Sequence, residues 1–310
     1  MRRVLVTGGA GFIGSNLVDA LVSRDEDVVV LDDLTTGYPE NVHPKATLII
    51  GDVADPTAAE QAMTGVEVVY HVAASRAVLR SVEKPLETDR VNTGGTLNML
   101  EAARAAGVQR VVCTSSSSVY GGSAVRPTPE SAPLAPRSPY AVSKLAGEHY
   151  ARVYWELHGL ETVSIRPFNV FGPRQRPESM YAAVIPLFIQ ALARREPPEV
   201  HGDGLQSRDF TFVDDAVAAF LAAGSAPKER CAGKVYNVAA GREHSLLDLL
   251  AVLERLLEVS VPPRHVEPRP GDVRHSRADA AAAEADLGWR AGVPFDEGLA
   301  RTVEWFAGAS

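Results

Sequence analysis

Cysteine is scarce in this 310-residue chain, which has only Cys113 and Cys231. Neither sits in metal-ligand spacing, so no metal site and no structural disulfide is expected, and a reducing compartment fits. Positive charge is short as well: 31 Lys and Arg against 39 Asp and Glu leave a formal charge of −8. No dominant basic face follows from that balance, so nucleic acid is not an expected partner, although arginines grouped in the second half can hold phosphates locally. Long apolar runs are missing too, none approaching the roughly 20 residues of a membrane helix. Met1-Arg2-Arg3 leads straight into a short apolar strand, so a cytoplasmic location without a membrane partner is expected. There is no internal repeat. The one low-complexity stretch, Ala278 to Ala285, has a period that suits a surface helix.

What the chain does have is regular alternation. RVLVTG, DVVVLDD, TLIIGD, EVVYHVAA, RVVCTSS and ETVSIRPFNV read as strands, each too continuously apolar for a sheet with one wet face. SNLVDALVSR and TGGTLNMLEAARAAG carry helical spacing between them, the second stopped by Gly107. This order predicts an α/β fold with a doubly wound parallel Rossmann sheet. Beyond Phe171 prolines multiply and helices such as YAAVIPLFIQALARR and SLLDLLAVLERLLEV stand between irregular polar stretches. We therefore expect a first domain over 1–170, with returning segments near 208–240, and a smaller mixed C-terminal lobe over 171–310.

TGGAGFIG places Gly8, Gly11 and Gly14 between the first strand and first helix. Glycines there let the backbone turn sharply and approach a pyrophosphate, whose charge faces the helix N-terminus. Asp32 closes the second strand, where a carboxylate can accept both ribose hydroxyls of an adenosine; it would repel a 2′-phosphate, so NAD is favoured over NADP. Asp33 is the neighbouring alternative. Asp52, at the end of the third strand, can meet an adenine amine, or simply be solvated.

In SPYAVSKLAGE, Ser138 is a good N-cap and Pro139 suits the first helical position. Tyr140 and Lys144 then share a face. A free phenol has a pKa of about 10, and a nearby ammonium and the helix N-terminus both favour phenolate, which makes Tyr140 a candidate acid/base. Packing plus a surface lysine explains the same spacing in isolation.

TGGAGFIG, SSSSVYG and YAVSK together resemble the extended short-chain dehydrogenase/reductases that act on nucleotide-diphosphate sugars. RPFNVFGPRQ, YAAVIP, HGDGLQSRDFTFVDD and RPGDVRHSRAD are similar to the UDP-hexose 4-epimerase branch, with its UDP-glucose and UDP-N-acetylglucosamine members. The resemblance covers nearly the whole chain. It implies Ser116, Tyr140 and Lys144 as catalytic residues, Ser116 beside the sugar hydroxyl and Lys144 also on the nicotinamide ribose. It further implies that Phe12, Ile13, Val53, Ala73, Ala74, Asn92 and Pro167 line the NAD. Pro167 replaces an aromatic residue common at that point in the family.

Toward a UDP-sugar, the resemblance points to Arg76, Ser118, Val184, Asn169, Arg208, Arg269 and Asp272. Of these Arg208 and Arg269 would clamp phosphate oxygens and Asp272 the uridine ribose. Ser276 stands where a bulky residue narrows the sugar pocket in relatives confined to plain hexoses, so room for an N-acetyl group is expected. Related 4,6-dehydratases carry an Asp-Glu pair where this chain has Ser117 and Ser118, and decarboxylases tend to have a glutamate at the second position. Relatives pair through two helices per subunit, so the helices after Asn92 and after Pro139 imply a homodimer. Readings left open are a 4-epimerase on UDP-GlcNAc/UDP-GalNAc and UDP-Glc/UDP-Gal, a UDP-glucuronate epimerase, a dehydratase or decarboxylase, and a non-catalytic dinucleotide sensor. Of the four serines, Ser115 is expected only to finish the strand.

Overall fold

The computed structural model describes residues 1–76, 78–177, 183–268 and 273–308. Its strands are β1 (Arg3–Thr7), β2 (Asp27–Asp32), β3 (Thr47–Ile50), β4 (Val68–His71), β5 (Arg110–Thr114), β6 (Glu161–Pro167), β7 (Val170–Phe171), β8 (Glu199–His201), β9 (Ser207–Asp209), β10 (Thr211–Phe212), β11 (Lys234–Val238), β12 (Glu243–Ser245) and β13 (Arg264–Val266). Up to the start of β6 the helices are α1 (Phe12–Val22), α2 (Pro56–Ala62), α3 (Val78–Glu83), α4 (Pro85–Asp89), α5 (Gly95–Ala105) and α6 (Pro139–His158). After β7 come α7 (Val184–Ala193), α8 (Val213–Ser225), α9 (Lys228–Cys231), α10 (Leu246–Leu257), α11 (Ala281–Leu287) and α12 (Phe295–Gly308). None of the described helices is long and apolar enough to cross a membrane.

One parallel sheet runs in the order β11-β6-β5-β4-β1-β2-β3. Both faces are covered, which explains the continuous apolar runs: Val4, Val6, Val28 and Val30 enter one core, and Leu5, Val29 and Leu31 enter the other. From β1 the chain builds outward to β2 and β3 on one side and then returns to β4 on the other. The carboxyl ends of β1 and β4 therefore flank the point where strand order reverses, the place where open α/β sheets hold ligands. The segment containing α8 and β11 comes back from the second half, α8 packing on α1 and β11 forming the edge beyond β6.

Two predicted elements differ. ETVSIRPFNV is not one strand: β6 stops at Pro167, Asn169 takes a φ of +36°, and β7 leaves to pair with β10. A short polar side chain tolerates that left-handed turn, so the chain can quit the sheet there. The alanine run is not a surface helix throughout. Helix α11 begins only at Ala281; Ala278 is buried before it with its amide drawn onto the Asp209 carboxylate at 3.0 Å, and Ala283 packs into the core.

Candidate active site

The glycine turn closes tightly on its neighbours. Gly8 has a φ of +70°, and a Cβ there would lie 2.8 Å from the backbone of Ala73. A Cβ on Gly14 would lie 2.1 Å from the Gly8 carbonyl oxygen, so the third glycine is what lets α1 pack against the turn. Gly11 is the N-cap of α1 and supplies no side-chain cap, leaving the amides of the first turn, from Phe12 and Ile13 on, to an outside acceptor.

Asp32 accepts from the amides of Ala10 and Leu34, each at 2.9 Å. Burial raises its pKa, while these two amides and the remaining lone pairs favour and equip the carboxylate for a diol. Asp33 turns away, exposed, to accept from Thr35. Asp52 is paired with Arg90 at 2.7 Å and also accepts from Ala54, and the Val53 carbonyl is held by Asn98. An anion-accepting turn, a helix end without a cap and a diol-accepting carboxylate at a switch point are what a dinucleotide such as NAD requires, and the residues present fit it.

Beyond β4 the loop through Ala73 and Ala74 is clamped from beneath. Thr7 Oγ1 receives the amides of Val72 and Ala73, both at 3.1 Å, so its own hydrogen is directed to His71 Nδ1 at 2.8 Å. That assigns the Nε2 proton of His71 to Thr96 at 3.0 Å. Burial, helped by the charge of Lys144, depresses this histidine to about 3, so it is neutral. Asn92 sits in a π-helical turn, Arg90–Gly94, and clasps both the amide and the carbonyl of Ser75, its Nδ2 also donating to Ser143. The wider turn aims Asn92 sideways, at the loop that leads to Arg76.

Across the crevice, Ser138 caps α6 through the amide of Ala141, and Tyr140 lies in the first turn. Its phenol lies close enough to the Ser116 hydroxyl for that group to favour phenolate, and Ser116 itself accepts from the Ser118 amide at 3.1 Å. Ser116 and Tyr140 are therefore brought together. Lys144 is buried on the same face and donates to the Thr114 carbonyl at the end of β5, 2.8 Å away. Burial lowers Lys144 to about 8.

The expectation that an ammonium and a helix end simply lower the phenol needs correction. Burial moves Tyr140 above its ordinary value, and the opposing influences are the nearby Ser116 hydroxyl and the charge of Arg76. The charge of Arg76, expected only near the sugar, thus also reaches the candidate base. The Ser118 hydroxyl is buried and has no hydrogen-bond partner among the described residues.

In the second half Asn169 donates to the Asp209 carbonyl at 3.1 Å, and Arg208, on β9, donates to the Ser207 carbonyl at 2.8 Å. Ser276 is tied to the same strand through its amide on Ser207. Val184 opens α7, and Pro167 ends β6 opposite Val238. Arg269 and Asp272 lie outside the described residues. Beside this strand a separate cavity of about 450 Å³, lined by Arg242, His244, Arg277 and Phe295 among others, contains none of Ser116, Tyr140 and Lys144. Volume alone does not locate the chemistry here.

A buried polar network behind Tyr140 was invisible to motif reading. Ser115 does more than finish the strand, for its hydroxyl donates to Glu148. Glu148 receives Arg166 through two bonds of 2.6 and 2.7 Å, and Arg166 donates to the Tyr120 hydroxyl, which donates to Asn237. Burial disfavours the Arg166 charge, but Glu148 and Tyr120 more than offset this and hold it above its ordinary value. Glu148 lies on α6 two turns beyond Tyr140, and that spacing was the one available signal.

The comparisons agree with this geometry. Residues 4–239 match the model of the NAD dependent epimerase/dehydratase family. A UDP-glucose 4-epimerase of Mycolicibacterium smegmatis is 42% identical over 320 residues, covering 99% of each chain. Among solved structures, a UDP-N-acetylglucosamine 4-epimerase from Methanobrevibacter ruminantium, in complex with UDP-N-acetylmuramic acid, superposes with a TM-score of 0.94 at 37% identity, over 100% of this chain and 99% of that one. A Thermus thermophilus UDP-glucose 4-epimerase in complex with NAD has a TM-score of 0.91 at 36% identity, covering 99% of this chain and 100% of that one.

Proposed function

Because this chain belongs to the NAD-dependent epimerase/dehydratase family, we propose that it interconverts UDP-hexoses at carbon 4, accepting UDP-GlcNAc/UDP-GalNAc and also UDP-Glc/UDP-Gal. The observation that carries this reading is the placement of the Ser116 hydroxyl beside the Tyr140 phenol with Lys144 buried alongside, next to Ser117 and Ser118 where elimination chemistry would need carboxylates. Bound NAD supplies the hydride acceptor at carbon 4 and returns the hydride. Tyr140 takes the proton of the 4-hydroxyl, and Ser116 orients that oxygen toward the phenol. The resulting 4-keto sugar turns over before reduction, so the nucleotide has to stay anchored while the sugar moves. Asn169, Arg208, Arg269 and Asp272 are the proposed anchor, with Val184 and Ser118 against the substrate. Lys144 is the proposed holder of the nicotinamide ribose.

Ser276 supports the N-acetyl preference by its small size. The test is incubation with a panel of UDP-sugars without added reductant, resolving the epimers. Exclusive conversion of UDP-Glc, unchanged in Ser276→Tyr, would overturn the pocket argument; accumulation of a stable keto product or carbon dioxide would overturn epimerisation. UDP-glucuronate is the second reading, favoured by one observation, that the charge of Arg76 reaches Tyr140, since such a cation would suit a sugar carboxylate.

The homodimer is supported by an apolar face left in water: Val82 is 62% exposed on α3, Leu86 87% on α4, and Val142 52% and Leu157 72% on α6. This face lies on α3, α4 and α6, which pack on one another, rather than on the expected pair α5 and α6, and a partner's matching set would cover it. Light scattering behind gel filtration reads the mass directly.

A further inference from the structure

The loop that follows Asp32 and the loop that follows β7 meet over α1 through residues that the reaction above does not use. The first is moored to the glycine turn: the Tyr38 amide and the Asn41 side chain both donate to the Ala10 carbonyl, at 3.0 and 3.1 Å. A Cβ on Gly37 would lie 2.8 Å from the Ala10 side chain and from Asp32 Oδ1, so this loop is pressed against the adenosine end of the crevice. The second loop is moored to α1 itself. Asn16 donates to the Pro173 carbonyl at 3.2 Å, and Arg174 pairs with Asp19 at 2.7 Å. Between the moorings the guanidinium of Arg176 stacks on the Tyr38 ring, 3.9 Å from its centroid, and reaches Glu40 at 3.4 Å. Arg76 is near enough to both Tyr38 and Tyr140 for its charge to act on each phenol.

We infer that Tyr38 and Arg176 form a strap across the open side of the dinucleotide crevice, retaining the bound NAD by closing over its pyrophosphate. The inference rests on the NAD reading above and deepens it. Epimerisation returns the cofactor to its starting state in every cycle, so nothing in the reaction requires release. Both moorings are on the turn and helix that would hold the pyrophosphate, so the strap adds its contacts without touching the sugar. A guanidinium partly shielded from water is held on an aromatic face by the ring's negative π cloud, and Arg176 is 28% exposed at its side chain. Its charge also suits a diphosphate beneath it.

The test is the release of NADH from the full-length protein, followed by loss of the fluorescence of the bound reduced nicotinamide after a chase with excess NAD. Tyr38→Ala and Arg176→Ala are each expected to release NADH about tenfold faster than wild type. The double variant is expected to release it no faster than Arg176→Ala alone, since that change already removes both the stack and the charge. Tyr38→Phe, which keeps the ring, is expected to restore the wild-type rate. Release within about twofold of wild type in both alanine variants overturns the strap, as does Tyr38→Phe behaving like Tyr38→Ala. A pair that merely braced the fold would instead lower the melting temperature of the NAD-free protein and leave release unchanged. If Arg176→Ala does not fold, Arg176→Gln, which keeps length and loses charge, carries the same expectation. Wild-type protein that binds no NADH overturns the cofactor reading itself, whereas slow wild-type release with unchanged variants overturns only the strap.

Discussion

Arg166 and Glu148 meet at 2.6 Å behind the candidate base with side chains 4% and 5% exposed, whereas Arg255 and Asp296, in the second half, meet at 2.5 Å with side chains 65% and 57% exposed. Contact distance is the same and the physics differs. In water an ion pair is screened and entropically costly to hold, so it contributes little. Below the surface both charges have lost their hydration, and each is tolerable only while the other, the hydrogen bond from Ser115 to Glu148 and the one from Arg166 to Tyr120 stay in place. Beside the candidate base the dehydrated charges of Glu148 and Arg166 hold each other, whereas Arg255 and Asp296 keep theirs in water.

The comparison breaks first at the chemistry. Tyr140→Phe removes the proton acceptor while keeping the ring, and turnover is expected to fall by about 10² to 10⁴ or more with NAD still bound. Steady-state rates alongside cofactor titration check this, and full turnover in the variant would remove Tyr140 from its role. Next comes Glu148→Gln, which keeps shape and strands the Arg166 charge. We expect a loss of about 3 to 5 kcal/mol in urea unfolding. Adding Arg166→Met to it should recover much of that loss, because the orphaned charge is then gone; equal or greater destabilisation in the double variant would show that the pair is not the unit.

A smaller and more selective effect is expected at Arg76. Burial raises the Tyr140 phenol and the charge of Arg76 opposes this, so Arg76→Met moves the phenol further up. If phenolate is the active base, the rising limb of kcat/KM then shifts to higher pH: the variant is slowest relative to wild type at neutral pH and approaches it in alkali. Arg76→Lys keeps the limb near its original place. A limb that stays put in Arg76→Met would mean that this charge does not reach the base. The smallest effect belongs to the outer pair. Arg255→Ala should leave the melting temperature unchanged at physiological salt, and a drop comparable with that of Glu148→Gln would erase the contrast.

Much of the fold was legible because its signals are local. Continuous β-branched runs need two covered faces, TGGAGFIG needs a turn that only glycine can make, and Ser138-Pro139 starts a helix wherever it is placed. Pro167 and Asn169 misled, since a break inside an apolar run depends on where the next strand, β10, waits in space. The alanine run misled for a related reason: alanine is at home both on a helix surface and under a carboxylate, and Asp209 decided which. Ser115 and Glu148 escaped because a buried hydrogen bond between distant residues leaves no period in the sequence.

By itself, then, the sequence determined the order of strands and helices, the phosphate-accepting turn, the carboxylate at the end of β2 and the spacing of Tyr140 and Lys144, all of which depend on neighbours within a few turns of chain. Only the tertiary structure decided that Ser116 lies beside Tyr140, that the charge of Arg76 reaches that phenol, that Glu148 and Arg166 neutralise each other behind it, and that Tyr38 meets Arg176 over α1. Those pairings join residues up to well over a hundred positions apart, and their strength is set by burial, a property of the folded chain alone.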